Sequence, residues 1–292
     1  MGLKESNVTK NISKDAMLWR YMTLDKLINI LSTNQLYFSP LHSYEKTDPF
    51  EGIPPKVSLE AMREISSSQQ DNLYILAASN FRDDLIQKST GQPAELEQIK
   101  YLDEAITKMS NIPLVREKIF FRAFKSTLVN CWHQNEFESE AMWRLYSENN
   151  KGIAIQTTLQ DLINSIDDER VHISEVKYID FQDKNLKPKD CVVNGHLSAL
   201  LKRKSFEHEK EVRLFFQPEN DLNTLLAEDY KYQYQLIDIN LSKLISKVYI
   251  SPYASELFAS SVKEVFRRFG LDDRKLIHSD LLKMDNSLIS AY

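Results

Sequence analysis

Short apolar and aromatic runs recur along the whole chain, and the way helical patterns interrupt them is what most limits the fold. "MLWRYM" leads into "TLDKLINILSTNQ", where Leu24, Leu27, Ile28 and Leu31 have helical spacing, and then into "LYFSP", stopped by Pro40. Thr23 is the expected N-cap of that helix and "STNQ" its end. Further on, "FKSTLVNCWHQ", "GIAIQTT", "VHISEVKYIDF" (one strand, or two with a kink), "EHEKEVRLFF", "YQYQLIDIN" and "SKVYISP" read as strands. "ESEAMWRLYSEN", "TLQDLINSI" with Thr158 as cap, and "HLSALLKRKSF" read as helices. The clearest helix is "SELFASSVKEVFRRFG", with Leu257, Phe258, Ser261, Val262, Val265, Phe266 and Phe269 as one stripe and Gly270 as its stop. "KLIHSDL" closes the fold. Some strands follow one another directly and others are separated by helices. A doubly wound parallel sheet does not fit, and the expectation is α+β: a single mixed-sheet domain with flanking helices.

Residues 1–15 are polar and are expected to form a flexible arm, and residues 16–292 the domain. Gly2 and Ser6 satisfy a loose myristoylation pattern that is too short to carry weight. Residues 57–110 read as a polar helical insertion broken around "KSTGQPAE". Of 292 residues, 42% are hydrophobic and 27% charged, which is globular rather than disordered. The net charge of −5 disfavours a polyanion as partner, except at a local basic patch, for which "LKRKS" is the candidate. No apolar run approaches a membrane span and no signal-peptide core is present, so no membrane partner is expected. Two cysteines, Cys131 and Cys191, build neither a disulfide framework nor a cysteine-rich zinc site and fit a cytoplasmic setting. With six glycines, a dinucleotide fingerprint or Walker loop in its usual form is excluded.

Three clusters carry chemistry. In "KRKSFEHEKEVRLFF", alternation along a strand puts Glu207, Glu209, Glu211 and Arg213 on one side and His208, Lys210 and Val212 on the other. Such a face is either a carboxylate site or a solvated, charge-offset edge. In "LWRYM", Arg20 stands between apolar residues on a strand and needs an anionic partner, for which the Glu209/Glu211 face is the expected source. In "NCWHQNEFESEAMWRLY", Trp143 and Tyr146 share a helix face, for core packing or for stacking on a planar ring. Cys131, two residues before His133, is expected to be a small core residue rather than a nucleophile.

"LWRYMTLDKLINILSTNQLYFSP", "TDPFEG", "CWHQNEFESEAMWRLYSENNKGIAI", "KSFEHEKEVRL", "VYISPYASELF" and "IHSDL", in that order, resemble an uncharacterised bacterial domain-of-unknown-function family often met near phage-defence genes. A second, partial resemblance is to the ADP-ribosyltransferases, the DarT-type DNA-modifying ones especially: a basic residue on a first strand, an L-x-x-I-L helix, a short strand, and a late Glu-x-Glu, here Glu209-Lys210-Glu211. That resemblance implies an ADP-ribosyltransferase-like core with NAD as co-substrate and a macromolecular acceptor, nucleic acid among the options. It makes Arg20 the group that contacts the ribose or phosphate of NAD, Glu211 the catalytic carboxylate and Glu209 the acceptor-orienting one. Tyr21, Tyr37, Ser39, Trp143 and Tyr146 are then the candidates for holding NAD. No clear Ser-Thr-Ser second motif accompanies them. Two other readings stay open: a metal-dependent nuclease or phosphoesterase using Asp48, Glu51, Glu209 and Glu211, and a sensor or binding module in which the cluster is a structural ion-pair network.

Overall fold

A computed structural model describes residues 2–66 and 69–283. The chain order is β1 (Met17–Thr23), α1 (Leu24–Thr33), β2 (Gln35–Pro40), α2 (Lys56–Ser66), α3 (Gln69–Lys88), α4 (Pro93–Ser126), β3 (Leu128–Gln134), α5 (Glu140–Tyr146), β4 (Gly152–Thr158) and α6 (Leu159–Ser165). It continues with β5 (His172–Glu175), β6 (Lys177–Ile179), β7 (Leu201–Arg203), β8 (Glu211–Phe216), α7 (Leu222–Leu226), β9 (Gln235–Asp238), α8 (Leu241–Leu244), β10 (Lys247–Ile250), α9 (Glu256–Arg268) and β11 (Leu276–His278). The class is α+β in one domain, as the strand order implies: the main sheet is mixed and mostly antiparallel, with β10 and β11 a parallel pair joined over α9. Among the described residues, no helix is long and apolar enough to cross a membrane.

Local signals end the elements where expected. Asn34 turns left-handed after α1 (φ 55°) and Gly270 after α9 (φ 65°). The Thr158 hydroxyl accepts from the Asp161 amide and caps α6.

One feature of the sheet makes room for a site. β8 runs antiparallel along one edge of β3, from Leu128↔Phe216 to His133↔Glu211. The other edge of β3 is shared. β1 pairs with its end, at Trp19↔His133 and Leu18↔Gln134, and β2 with its start, at Ser39↔Val129 and Pro40↔Leu128. Between them the sheet forks, and residues 130–132 have no strand partner on that side. One face is covered by α1, α6 and α9 over a large core that includes Leu18, Leu27, Leu128, Trp132, Leu214 and Phe266. The other face carries two smaller clusters, Trp19, Tyr21, Met142, Trp143 and Ala154 on one side, and Leu41, Val129, Ala199, Leu200 and Phe215 on the other. Members of both line the cleft described below.

The structure departs from the sequence reading in five places. Residues 3–12, expected as a flexible arm, lie along the domain. The Leu3 amide donates to Ile166, the Thr9 amide to Ile173, the Asn7 side chain to the carbonyls of Glu169 and Val171, and Ile12 is buried. The helical insertion does break at residues 89–92 but extends through Pro113 to Ser126, so Phe124–Ser126 are helix and not strand. Arg122 holds that end by donating to the carbonyls of Leu225 and Ala227. "HLSALLKRKSF" is not a helix, because Asn194, Gly195 and Ser198 all have positive φ, and Leu201–Arg203 instead pairs as β7 with β6. Lys210 is left-handed (φ 40°), so β8 starts at Glu211, and Lys204–Glu209 form a 3₁₀ helix with Glu207 exposed. In α9 the stripe holds at Phe258, Val262 and Phe266, but Leu257, Ser261 and Phe269 are exposed.

Candidate functional site

A cleft of ≈ 850 Å³ opens at the fork. Its walls come from β1 (Arg20, Tyr21), β2 (Tyr37, Ser39), the turn after β2 (Tyr44, Asp48, Glu51), β3 (Cys131, His133), α5 (Tyr146) and the β7–β8 segment (Lys202, Glu209, Glu211, Arg213). Residues far apart in sequence thus meet because β3 is the common neighbour of β1, β2 and β8.

The β8 wall is a closed set of ion pairs. Arg213 grips Glu211 with two nitrogens, Nε to Oε1 at 2.8 Å and Nη2 to Oε2 at 3.1 Å. Its Nη1 donates to the Ala199 carbonyl at 2.8 Å, and Nη2 lies 2.8 Å from Glu51. Lys202 reaches Glu211 at 3.3 Å and Glu51 at 3.6 Å, and also pairs with Glu209. These groups are nearly all buried. Burial alone raises the Glu211 carboxyl, but Arg213 and Lys202 outweigh it and hold the pKa down at about 2. Glu209 goes the other way: burial dominates over Lys202, and its pKa is raised. Two neighbouring carboxylates are therefore pushed apart, one firmly ionised and one readier to take a proton.

The β1 wall is different. The Arg20 guanidinium enters the fork and donates to Asn130 Oδ1 and, at 3.4 Å, to the Cys131 carbonyl. It lies 5.8 Å from the Trp132 ring. Among the described residues it makes no ion pair, and burial lowers its pKa. Asn130 is the post that holds the fork: its Oδ1 also accepts from Trp132 Nε1 at 2.9 Å, and its Nδ2 donates to the Tyr37 carbonyl at 2.9 Å. Arg20 and the Glu209/Glu211 pair do share one cleft, but the expectation that Arg20 takes one of those carboxylates is corrected: Arg213 and Lys202 occupy them.

The other sequence candidates divide. Tyr21, Tyr37, Ser39 and Tyr146 line the cleft, and Ser39 Oγ is 3.0 Å from the Tyr44 hydroxyl. Trp143 does not line it. The indole is fully buried beneath the edge of Tyr21 (centroids 4.9 Å apart) and donates to Glu138 at 3.0 Å, so core packing wins over stacking. Asp48 pairs with Arg203 at 2.7 Å, and Glu51 turns to Arg213 and Lys202. Among the described residues no three His, Cys, Asp or Glu side chains are grouped to hold a metal ion. Within "LKRKS", Lys202 and Arg203 pair with carboxylates, Lys202 with Glu209 and Arg203 with Asp48, while Lys204 is exposed. Both cysteines are free. Burial, and then Glu211, push the Cys131 thiol up, which fits no nucleophile. Asn130, His133, Tyr44 and Lys202 are cleft or fork residues without a local sequence motif. The available hint was the presence of polar Asn130 and His133 among the apolar residues of a predicted strand.

No curated protein and no solved structure matches the chain. Residues 142–214, from α5 to β8, match the family described as "Protein of unknown function (DUF2971)", in line with the resemblance to an uncharacterised domain family.

Proposed function

We propose that the cleft binds NAD and that the protein is an ADP-ribosyltransferase-like enzyme. One observation supports this above the others: Arg20 is a cation turned into a cleft with no anionic side chain paired to it among the described residues, opposite a carboxylate held ionised. A dinucleotide has the matching charges, an anionic pyrophosphate for Arg20 and a ribose that becomes positive as the nicotinamide bond breaks. In the step proposed, the C1′–N1 bond breaks and its electron pair leaves on nicotinamide. The acceptor's nucleophile bonds to C1′, and its proton passes to Glu209, whose raised pKa suits that role. Glu211 stabilises the developing charge on the ribose electrostatically, and Tyr21, Tyr37, Ser39 and Tyr146 form the walls against which the nucleotide lies. With water as acceptor the proton passes to bulk solvent without Glu209, and the product is ADP-ribose. A role as a defence effector rests on the family resemblance.

A second reading has its own observation. Arg213 and Lys202 already offset the Glu211 charge, as in a structural network, and a binding module with no chemistry would look the same on that wall. Activity separates the two. Glu211→Gln is expected to lower kcat for NAD cleavage about a hundred- to a thousandfold, with little change in KM. Glu209→Gln is expected to reduce transfer while sparing hydrolysis. Wild-type protein that neither binds nor consumes NAD, with Glu211→Gln merely less stable, would refute the enzyme reading.

A further inference from the structure

His133 lines the same cleft but has no part in the step above. It sits on β3 directly across from Glu211 and is only 3% exposed. Its Nδ1 lies 2.6 Å from the Glu209 carbonyl oxygen. A carbonyl only accepts, so Nδ1 carries the hydrogen, and in the neutral ring Nε2 is left as an acceptor. Burial lowers the pKa of this imidazole, which keeps the ring neutral near pH 7. Nε2 is buried and has no hydrogen-bond partner among the described residues. A buried acceptor without a donor is destabilising, and most native ones are satisfied. Here the acceptor belongs to a residue of the cleft wall, with its orientation locked by the Glu209 carbonyl. That is the arrangement of a group waiting for a ligand's O–H or N–H.

We propose that His133 Nε2 accepts a hydrogen bond from a hydroxyl of the ribose whose bond is broken, making His133 a substrate-positioning residue of this site. The inference rests on the NAD reading. At the reacting end of NAD the donors are the ribose hydroxyls and the carboxamide amide. Glu211 is assigned to the ribose, and the cross-strand register puts His133 beside Glu211, so both side chains flank the same sugar. A neutral acceptor there fixes the ring's rotation without adding charge next to the developing cation.

The test uses two probes on the full chain: a C-glycosidic NAD analogue, whose ribose–base bond does not cleave, and nicotinamide alone. Affinity is read by calorimetry and the His133 ring nitrogens by 15N spectra. The analogue is expected to move the Nε2 resonance and nicotinamide to leave it in place. His133→Phe is expected to weaken binding of the analogue about tenfold, and His133→Gln, which keeps a neutral acceptor at similar reach, to hold it within about threefold. If His133→Phe does not fold, the spectra and the Gln variant still decide. Nicotinamide shifting Nε2 as the analogue does would overturn the ribose assignment. An analogue that binds wild type and both variants alike, with Nε2 unmoved, would remove His133 from the site and leave the NAD reading standing. A wild-type protein that binds no analogue would overturn the NAD reading, and this assignment with it.

Discussion

Two guanidinium groups face one cleft from opposite sides of β3, and the fold treats them differently. Arg213, on β8, has two carboxylates and a carbonyl within hydrogen-bonding or ion-pair distance. Arg20, on β1, has an amide oxygen and a carbonyl, both neutral. Taking a charge out of water is costly unless an opposite charge compensates. On the β8 wall the compensation is built in, so those charges belong to the architecture. On the β1 wall the described residues leave it out, and an anion that binds there recovers what folding gave up. The contrast teaches that a buried charge suggests a site by what it lacks, not by its being charged.

The largest effect that would break this comparison is on the β8 wall. Arg213→Met leaves Glu51 and Glu211 buried with Lys202 as their shared cation, and is expected to cost about 3–5 kcal/mol of stability in a urea titration. A variant as stable as wild type would mean the network is not structural. On the β1 wall the same kind of change is expected to do the opposite. Arg20→Met removes an uncompensated, half-buried cation, so its melting temperature is expected to equal or exceed that of wild type. Its affinity for the NAD analogue is expected to fall roughly ten- to a hundredfold, the worth of a hydrogen bond to a charged group. An Arg20→Met protein that loses stability and keeps its affinity would reverse the two roles.

Acid sharpens the contrast further. The folded Glu211 carboxyl sits at about 2 against an ordinary value of 4.5, so its contribution to stability is complete above about 4.5 and disappears as pH falls through about 2. Glu209, raised in the folded state, titrates in the opposite sense and favours folding as pH falls. The clean measurement is therefore the stability difference between wild type and Glu211→Gln, which is expected to shrink steadily across that window. A difference independent of pH would show that Glu211 is not held ionised by Arg213 and Lys202. The smallest effect concerns Cys131, between the two walls. Its raised thiol pKa predicts alkylation at pH 8 far slower than in the denatured chain, and equal rates would contradict it.

How much of this could be read beforehand differs by element. Where the signal was local, it carried through: the α1 stop at Asn34, the Thr158 cap and the Gly270 stop follow from residues within a turn of one another, and the α+β class from the order of the elements along the chain. The readings that failed were those in which periodicity competed with single backbone positions. Alternation across "EHEKEVRLFF" suggested one long strand, yet the left-handed Lys210 cut it at Glu211. Apolar spacing in "HLSALLKRKSF" suggested a helix, yet Asn194 and Ser198 took positive φ, and buried Ala199 and Leu200 fill the small cluster under β8. Trp143 shows the same limit for side chains: spacing put it on the face of Tyr146, and packing put it under Tyr21.

By itself, then, the sequence determined which residue types the site would contain. An arginine flanked by apolar residues on a strand, and two carboxylates beside a later one, can be recognised from neighbours alone. The pairing was decided only by the tertiary structure. Which carboxylate meets which cation depends on β1, β2 and β8 all abutting β3, on strand registers set by the whole sheet, and on Asn130 holding the fork open. Ion pairing acts over a few ångströms in space whatever the separation in sequence, so Glu51 could find Arg213, and Arg20 could be left facing the cleft, only once the chain had closed.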